Sequence, residues 1–175
     1  MKTHRNTQKG ITIIEFTVIA LAVMVMILGV IEIGRYVYSL QMLNEMTRKA
    51  ARLATVCYVL DQKDIPYMDE IVENYPMGFA GDELVIEYLD GSGQVLDLSK
   101  FDELSTAAQS SEFSKIRFVR ARIDGYQYHF LSVLSFIGDG GVIEVQSFQT
   151  TLPAESLGVV RPREDDENSG AIIDC

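Results

Sequence analysis

Histidine and cysteine are scarce in this chain. Among 175 residues there are only His4 and His129, and only Cys57 and Cys175. Two cysteines so far apart provide no metal-type spacing, and a zinc or general-base site would lean on His129 almost alone. There is no H-E-x-x-H, no G-x-S-x-G and no phosphate-binding glycine loop. Acidic pairs such as Asp69-Glu70 read as surface. No catalytic, cofactor-binding or metal-ligating residue is therefore assigned, and the chain is expected to be no enzyme and to need no cofactor. Positive charge is also short: 15 Lys and Arg stand against 25 Asp and Glu, a net −10. With a pI near 4.6, the chain lacks the basic footprint of a nucleic-acid binder and the polybasic patch of an electrostatic lipid attachment. No internal repeat is present.

One apolar run dominates what is present. Ile11–Ile31 is broken by a single charge, Glu15. As a helix those residues span roughly 31 Å, against about 30 Å of hydrocarbon in a bilayer. The run exceeds the usual h-region of a secretory signal, and no small-residue cleavage site follows it. A domain this small could not bury such a helix on all sides. Lys2, Arg5 and Lys9 precede the span with no acid among them, whereas Arg35, Arg48, Lys49 and Arg52 beyond it are mixed with Glu32 and Glu45. The denser basic head predicts a cytoplasmic N-terminus and an external C-terminal bulk, with Tyr36 and Tyr38 at the outer interface.

An acid near the edge of a span costs free energy and calls for a partner. Cutting the chain after Gly10 would create one, a free amine on Ile11. Glu15 of one subunit could then pair with the Ile11 amine of a neighbour. The motif Lys9-Gly10, then Ile11-Thr12-Ile13-Ile14-Glu15-Phe16, resembles a prepilin cleavage site. The next stretch, GVIEIGRYVYSLQMLNEMTRKAARLATV (residues 29–56), looks like the helix of TadE-like pseudopilins of tight-adherence (Tad/Flp) systems. The matching features are Glu15-Phe16, Glu32-Ile33-Gly34-Arg35 and Ala50-Ala51-Arg52. SFQTTLPAESLG (residues 147–158) resembles, more loosely, the end of TadE/TadG-type sequences. Residues 60–115 resemble nothing identified. Ordinary type IV pilins and type II secretion pseudopilins begin alike but usually carry a helix-bending proline. Ile11–Val56 has none, which places those readings second.

The resemblance implies processing between Gly10 and Ile11 by a prepilin peptidase, and an assembly role for Glu15 and Phe16. It also implies sibling pilin subunits and an inner-membrane assembly platform as partners, in a pilus used for adhesion, biofilm formation or secretion. The competing reading is an uncleaved, single-pass anchored periplasmic binding or scaffold protein.

Helical periodicity continues past the span through Ile33, Val37, Leu40, Leu43, Met46, Ala50, Leu53/Ala54 and Cys57. One helix is expected from about Thr12 to about Val59. Asp61–Asp64 and Pro66 end it, and Ile65–Tyr75 is expected as a short amphipathic helix. Glu83–Leu89, the turn Asp90-Gly91-Ser92-Gly93 and Gln94–Leu98 predict a hairpin. Residues 100–111 read as loop or weak helix. Lys115–Ile123 predicts a strand with Ile116, Phe118, Ala121 and Ile123 on one side and Arg117, Arg120 and Arg122 cross-strand paired or solvated on the other. Tyr126–Leu131 and Val142–Thr151 predict two more strands, with Leu131–Ile137 capping the sheet.

The expected fold is α+β and pilin-like: a long N-terminal transmembrane helix packed on an antiparallel sheet of about four strands. The expected organisation is a cytoplasmic leader (1–10), a membrane half-helix (11–31) and an extramembrane half-helix (32–59). A periplasmic domain (60–160) and an acidic tail (161–175) follow. That tail, RPREDDENSG then AIIDC, reads as a solvated run before a segment that docks. A Cys57–Cys175 disulfide is expected in an oxidising periplasm.

Overall fold

The computed structural model describes residues 9–159 and Cys175. Residues 1–8 of the basic head, the acidic run and residues 171–174 lie outside the described residues. The architecture is α+β: a long N-terminal helix, α1 (Lys9–Val56), and behind it a small antiparallel sheet domain. At 48 residues, α1 is about 70 Å long. It contains no proline and begins slightly before the expected Thr12. It stops short of Val59, because Tyr58 turns to extended backbone and Val59–Lys63 winds as a 3₁₀ turn.

The outer half of α1 carries the core stripe. Leu43, Met46, Thr47, Ala50, Ala51, Ala54 and Cys57 have no exposed surface, at the three- and four-residue spacing that keeps side chains on one helix face. The lower end of this stripe departs from expectation. Ile33 is 64% and Val37 47% exposed, whereas Glu32, Ser39 and half-buried Tyr36 face the domain. The apolar residues were the misleading ones there, because the buried face changes from hydrophobic to polar as it nears the span.

Three strands pack on α1: β1 (Leu84–Leu89), β2 (Phe118–Ile123) and β5 (Gln149–Pro153), in the order β1-β2-β5 and all antiparallel. Their inward residues alternate: Leu84, Ile86 and Tyr88 from β1, and Val119, Ala121 and Ile123 from β2. The alanines of α1 let the sheet approach the helix, and Thr150 Oγ1 meets Thr47 Oγ1 at 3.2 Å across the seam. Phe118 departs from expectation; it is exposed on the outer face with the arginines. On that face Glu87 lies opposite Arg120 in register. It accepts from Arg120 Nη2 at 2.7 Å and from Arg122 Nε at 2.9 Å. Burial pushes the Glu87 carboxyl up, but the hydrogen bonds from Arg122 and Arg120 outweigh this and hold it below the usual range.

Four other expectations need correction. The turn at Asp90 forms, with its Oδ1 accepting from the Ser92 and Gln94 backbone N–H groups. However, residues 94–98 make only a single bridge, Leu89 to Val95. Asp97 bends the chain away by accepting from Ser99 N–H. Ile65–Tyr75 divides into a 3₁₀ turn at Pro66 and the one-turn α2 (Asp69–Val72). The 142–151 segment splits into β4 (Val142–Glu144) and β5, with Ser147 Oγ donating to Ile123 O at the break. Finally, the stretch from Tyr126 yields only β3 (Gln127–His129), which pairs with β4 in a separate two-stranded sheet. The expected four-stranded sheet is therefore three strands plus two. Residues 100–111 contain a 3₁₀ turn and most of α3 (Thr106–Lys115).

Candidate functional site

Chemistry on this molecule concentrates along α1, at three levels. The first is the apolar half. Gly10 and Ile11 lie in the first turn of the helix backbone. Glu15 and Phe16 follow one turn later, both exposed, Phe16 at 71%. Ile13, Ile14, Val18, Ile19, Leu21, Val23, Met24, Met26, Ile27 and Val30 are exposed as well, so among the described residues no other element covers this half of the helix. The helix is long and apolar enough to cross a membrane.

The second level is the junction where the apolar half meets the domain. Glu32 is only 1% exposed. Its Oε2 accepts from Arg35 Nη1 at 2.7 Å, one helical turn on. Its Oε1 accepts from the Tyr128 hydroxyl of β3 at 2.9 Å. A buried carboxylate is tolerated only when paired and hydrogen-bonded, and both conditions are met here. Tyr128 is itself gripped, edge-on to Tyr36 at 5.1 Å between centroids and to Phe130 at 5.2 Å. Burial first, and then the hydrogen bond to Glu32, push its hydroxyl up to about 12. Arg35 reaches on to Met77 Sδ at 3.5 Å, and Tyr126 donates to Met77 O at 3.1 Å. The Pro76-Met77 turn thereby closes a groove beside Arg35, Tyr38, Ser39 and Met42. The trio of Glu32, Arg35 and Tyr128 was not singled out as a site from the sequence. Its signal was present in the Glu32-x-x-Arg35 spacing, with Glu32 in phase with Tyr36, Ser39 and Leu43, but the tyrosine is 96 residues away.

The third level is the far end of α1. Cys57 and Cys175 are joined by a disulfide, with Cα atoms 5.5 Å apart. The Cys175 N–H donates to Asp61 Oδ2 at 3.1 Å. Beside it, the segment ending at Gly158 clasps the helix terminus. Leu157 N–H donates to Thr55 O at 3.0 Å, supplying a partner to one of the last-turn carbonyls that a helix leaves unpaired. Leu157 is buried, and a Cβ on Gly158 would stand 2.6 Å from Tyr58 N.

These levels form a long apolar helix, a polar lock and a covalent clasp. Among the described residues no group of three or more His, Cys, Asp or Glu side chains is placed to hold a metal ion. In comparisons with known proteins, residues 10–52 match the family model for TadE-like protein. That segment, covering nearly all of α1 and none of the sheets, is TadE-like. No curated protein and no solved structure matches the chain.

Proposed function

We propose, taking the TadE-like segment as the premise, that this chain is a minor pilin or pseudopilin of a Tad/Flp type IVb pilus system. It waits in the inner membrane on α1, with the N-terminus cytoplasmic and the sheet domain periplasmic. A prepilin peptidase removes the basic head between Gly10 and Ile11. Glu15 then pairs with the new Ile11 ammonium of a neighbouring subunit and sets register, while Phe16 and the apolar face supply helix–helix packing. Sibling pilins and the membrane assembly platform are its partners. Its work is packing and handover, with no bond made or broken by its own side chains.

The observation that carries this reading is the state of α1. Its first half carries exposed apolar side chains and one shallow acid, and it lies within the TadE-like match. A helix exposed in this way needs lipid or other helices to cover it.

The deciding experiment is N-terminal sequencing of the protein recovered from cells with an active prepilin peptidase. A mature chain beginning at Ile11 is expected. A chain beginning at Met1 would refute processing and favour the uncleaved anchor. Glu15→Ala is expected to abolish or severely reduce pilus assembly while leaving membrane insertion intact.

A further inference from the structure

The domain meets α1 in a graded order. Leu157 touches it at Thr55 and Thr150 at Thr47. Tyr126 faces Ser39, and Tyr128 bonds to Glu32. From β2 into β3 the chain therefore runs down the helix, toward the apolar half. Phe130 stacks on Tyr36 at 6.4 Å, and its N–H bonds to Gly141 O at 2.8 Å. Between those two residues lies a closed tip, residues 131–140, which continues from the strand whose Tyr128 meets Glu32.

The tip has the wrong composition for water. Residues 130–138 read FLSVLSFIG, with no charge until Asp139 at the closing turn. Leu134 turns inward, but Leu131, Val133 and Phe136 point out, with Val133 49% and Phe136 74% exposed. Nothing in the fold requires large apolar side chains there, and grouped exposed apolar residues mark an interaction surface. The tip begins beyond Tyr128, which is held to Glu32, the first residue after the Ile11–Ile31 span.

We propose that the Leu131–Ile137 tip is a second membrane contact: Leu131, Val133 and Phe136 rest in the interfacial layer of the bilayer that α1 crosses. This rests on reading α1 as a membrane span. Phe and Leu side chains partition into this layer as they do on interfacial segments. The lock between Glu32 and Tyr128 sets the height of the tip, and the tip in turn fixes the tilt of the domain over the bilayer.

Because the chain has no tryptophan, single reporters are available. Full-length F136W, F16W and F118W proteins are each reconstituted into vesicles with and without brominated lipid, and exposed to aqueous acrylamide. Phe118 sits at the far end of the sheet and is half exposed. Lipid bromine is expected to quench F16W and F136W and leave F118W nearly unchanged, with acrylamide acting severalfold more strongly on F118W than on F136W. If F16W is quenched but F136W is open to acrylamide, the tip is in water and the proposal fails while the span stands. If F136W is shielded from both quenchers, a protein surface covers the tip and the lipid assignment is overturned. If F16W itself escapes lipid quenching, the span reading fails and the tip proposal fails with it.

Discussion

Replacing Tyr128 by phenylalanine removes one oxygen and little else. The ring keeps its edge-on packing against Tyr36 and Phe130, with centroids 5.1 and 5.2 Å away. What is lost is the hydroxyl that donates to Glu32 Oε1 at 2.9 Å. Because Glu32 is 1% exposed, water cannot readily replace that donor. A hydrogen bond to a charged group contributes about 1.5–3 kcal/mol, and an orphaned buried acceptor carries its full desolvation penalty. Tyr128→Phe should therefore cost about 1.5–3 kcal/mol. For a chain of 175 residues that is a fall in Tm of about 3–12 °C. The measurement is denaturant unfolding of the full chain in mild detergent, with the m value unchanged. A second variant makes the test sharper. Glu32→Met/Tyr128→Phe replaces both partners with apolar groups and leaves only partly exposed Arg35 unpaired, so it should recover much of the loss. The pH dependence has a definite sign. The Tyr128 hydroxyl is raised from 10 to about 12 in the fold. Its contribution is complete below pH 10 and disappears as pH rises through about 12, so the Phe variant should lose less stability in that window. A loss below about 0.5 kcal/mol for Tyr128→Phe, smaller than an ordinary hydrogen bond, would mean that the Glu32 carboxylate is solvated and the lock does not exist.

Three further outcomes follow from other parts of the molecule. Gly158→Ala should destabilise by at least about 1–3 kcal/mol, from the left-handed conformation (φ +74°) alone. The methyl would also press on the Tyr58 backbone, and urea unfolding measures the sum. Unreduced, denatured protein should titrate no free thiol, and Cys175→Ser should lower stability by up to about 4.7 kcal/mol, the chain-entropy value for a loop of about a hundred residues. Thermal melts with and without reductant provide the check. Glu87, held below the usual carboxylate range by Arg122 and Arg120 despite its burial, contributes stability that is complete above the unfolded value near 4.5. That contribution fades as pH falls through the lowered folded value, so Glu87→Gln should flatten the acid limb of the stability curve.

How much of this was readable in advance depended on the range of the interaction. The long helix was legible because Leu43, Met46, Ala50 and Cys57 repeat locally and no proline interrupts them. The turn at Asp90 and the strands at 84–89 and 118–123 were legible for the same reason, since period and turn chemistry lie within ten residues. The pairing of Cys57 with Cys175 required only that two cysteines have one possible partner each. What failed was decided by residues far apart. Ile33 and Val37 looked like core until Tyr128 arrived to claim Glu32 for that face. The Val142–Thr151 run looked like one strand, but its two halves serve different sheets, β4 with β3 and β5 with β2. Phe118 looked inward because it was grouped with Ile116, Ala121 and Ile123 as the apolar side opposite the arginines, yet the strand's alternation puts Val119, Ala121 and Ile123 inside and Phe118 with Arg120 and Arg122.

The covalent clasp at the top of α1 also decides how the molecule carries load. Tension applied between the apolar half-helix and position 175 would run up one rigid rod and across a sulfur–sulfur bond. The intervening sheets, residues 58–159, would hang beside that path as slack. The sheets should therefore stay folded under such pulling until the disulfide is reduced, while any earlier extension comes from uncoiling of α1 itself.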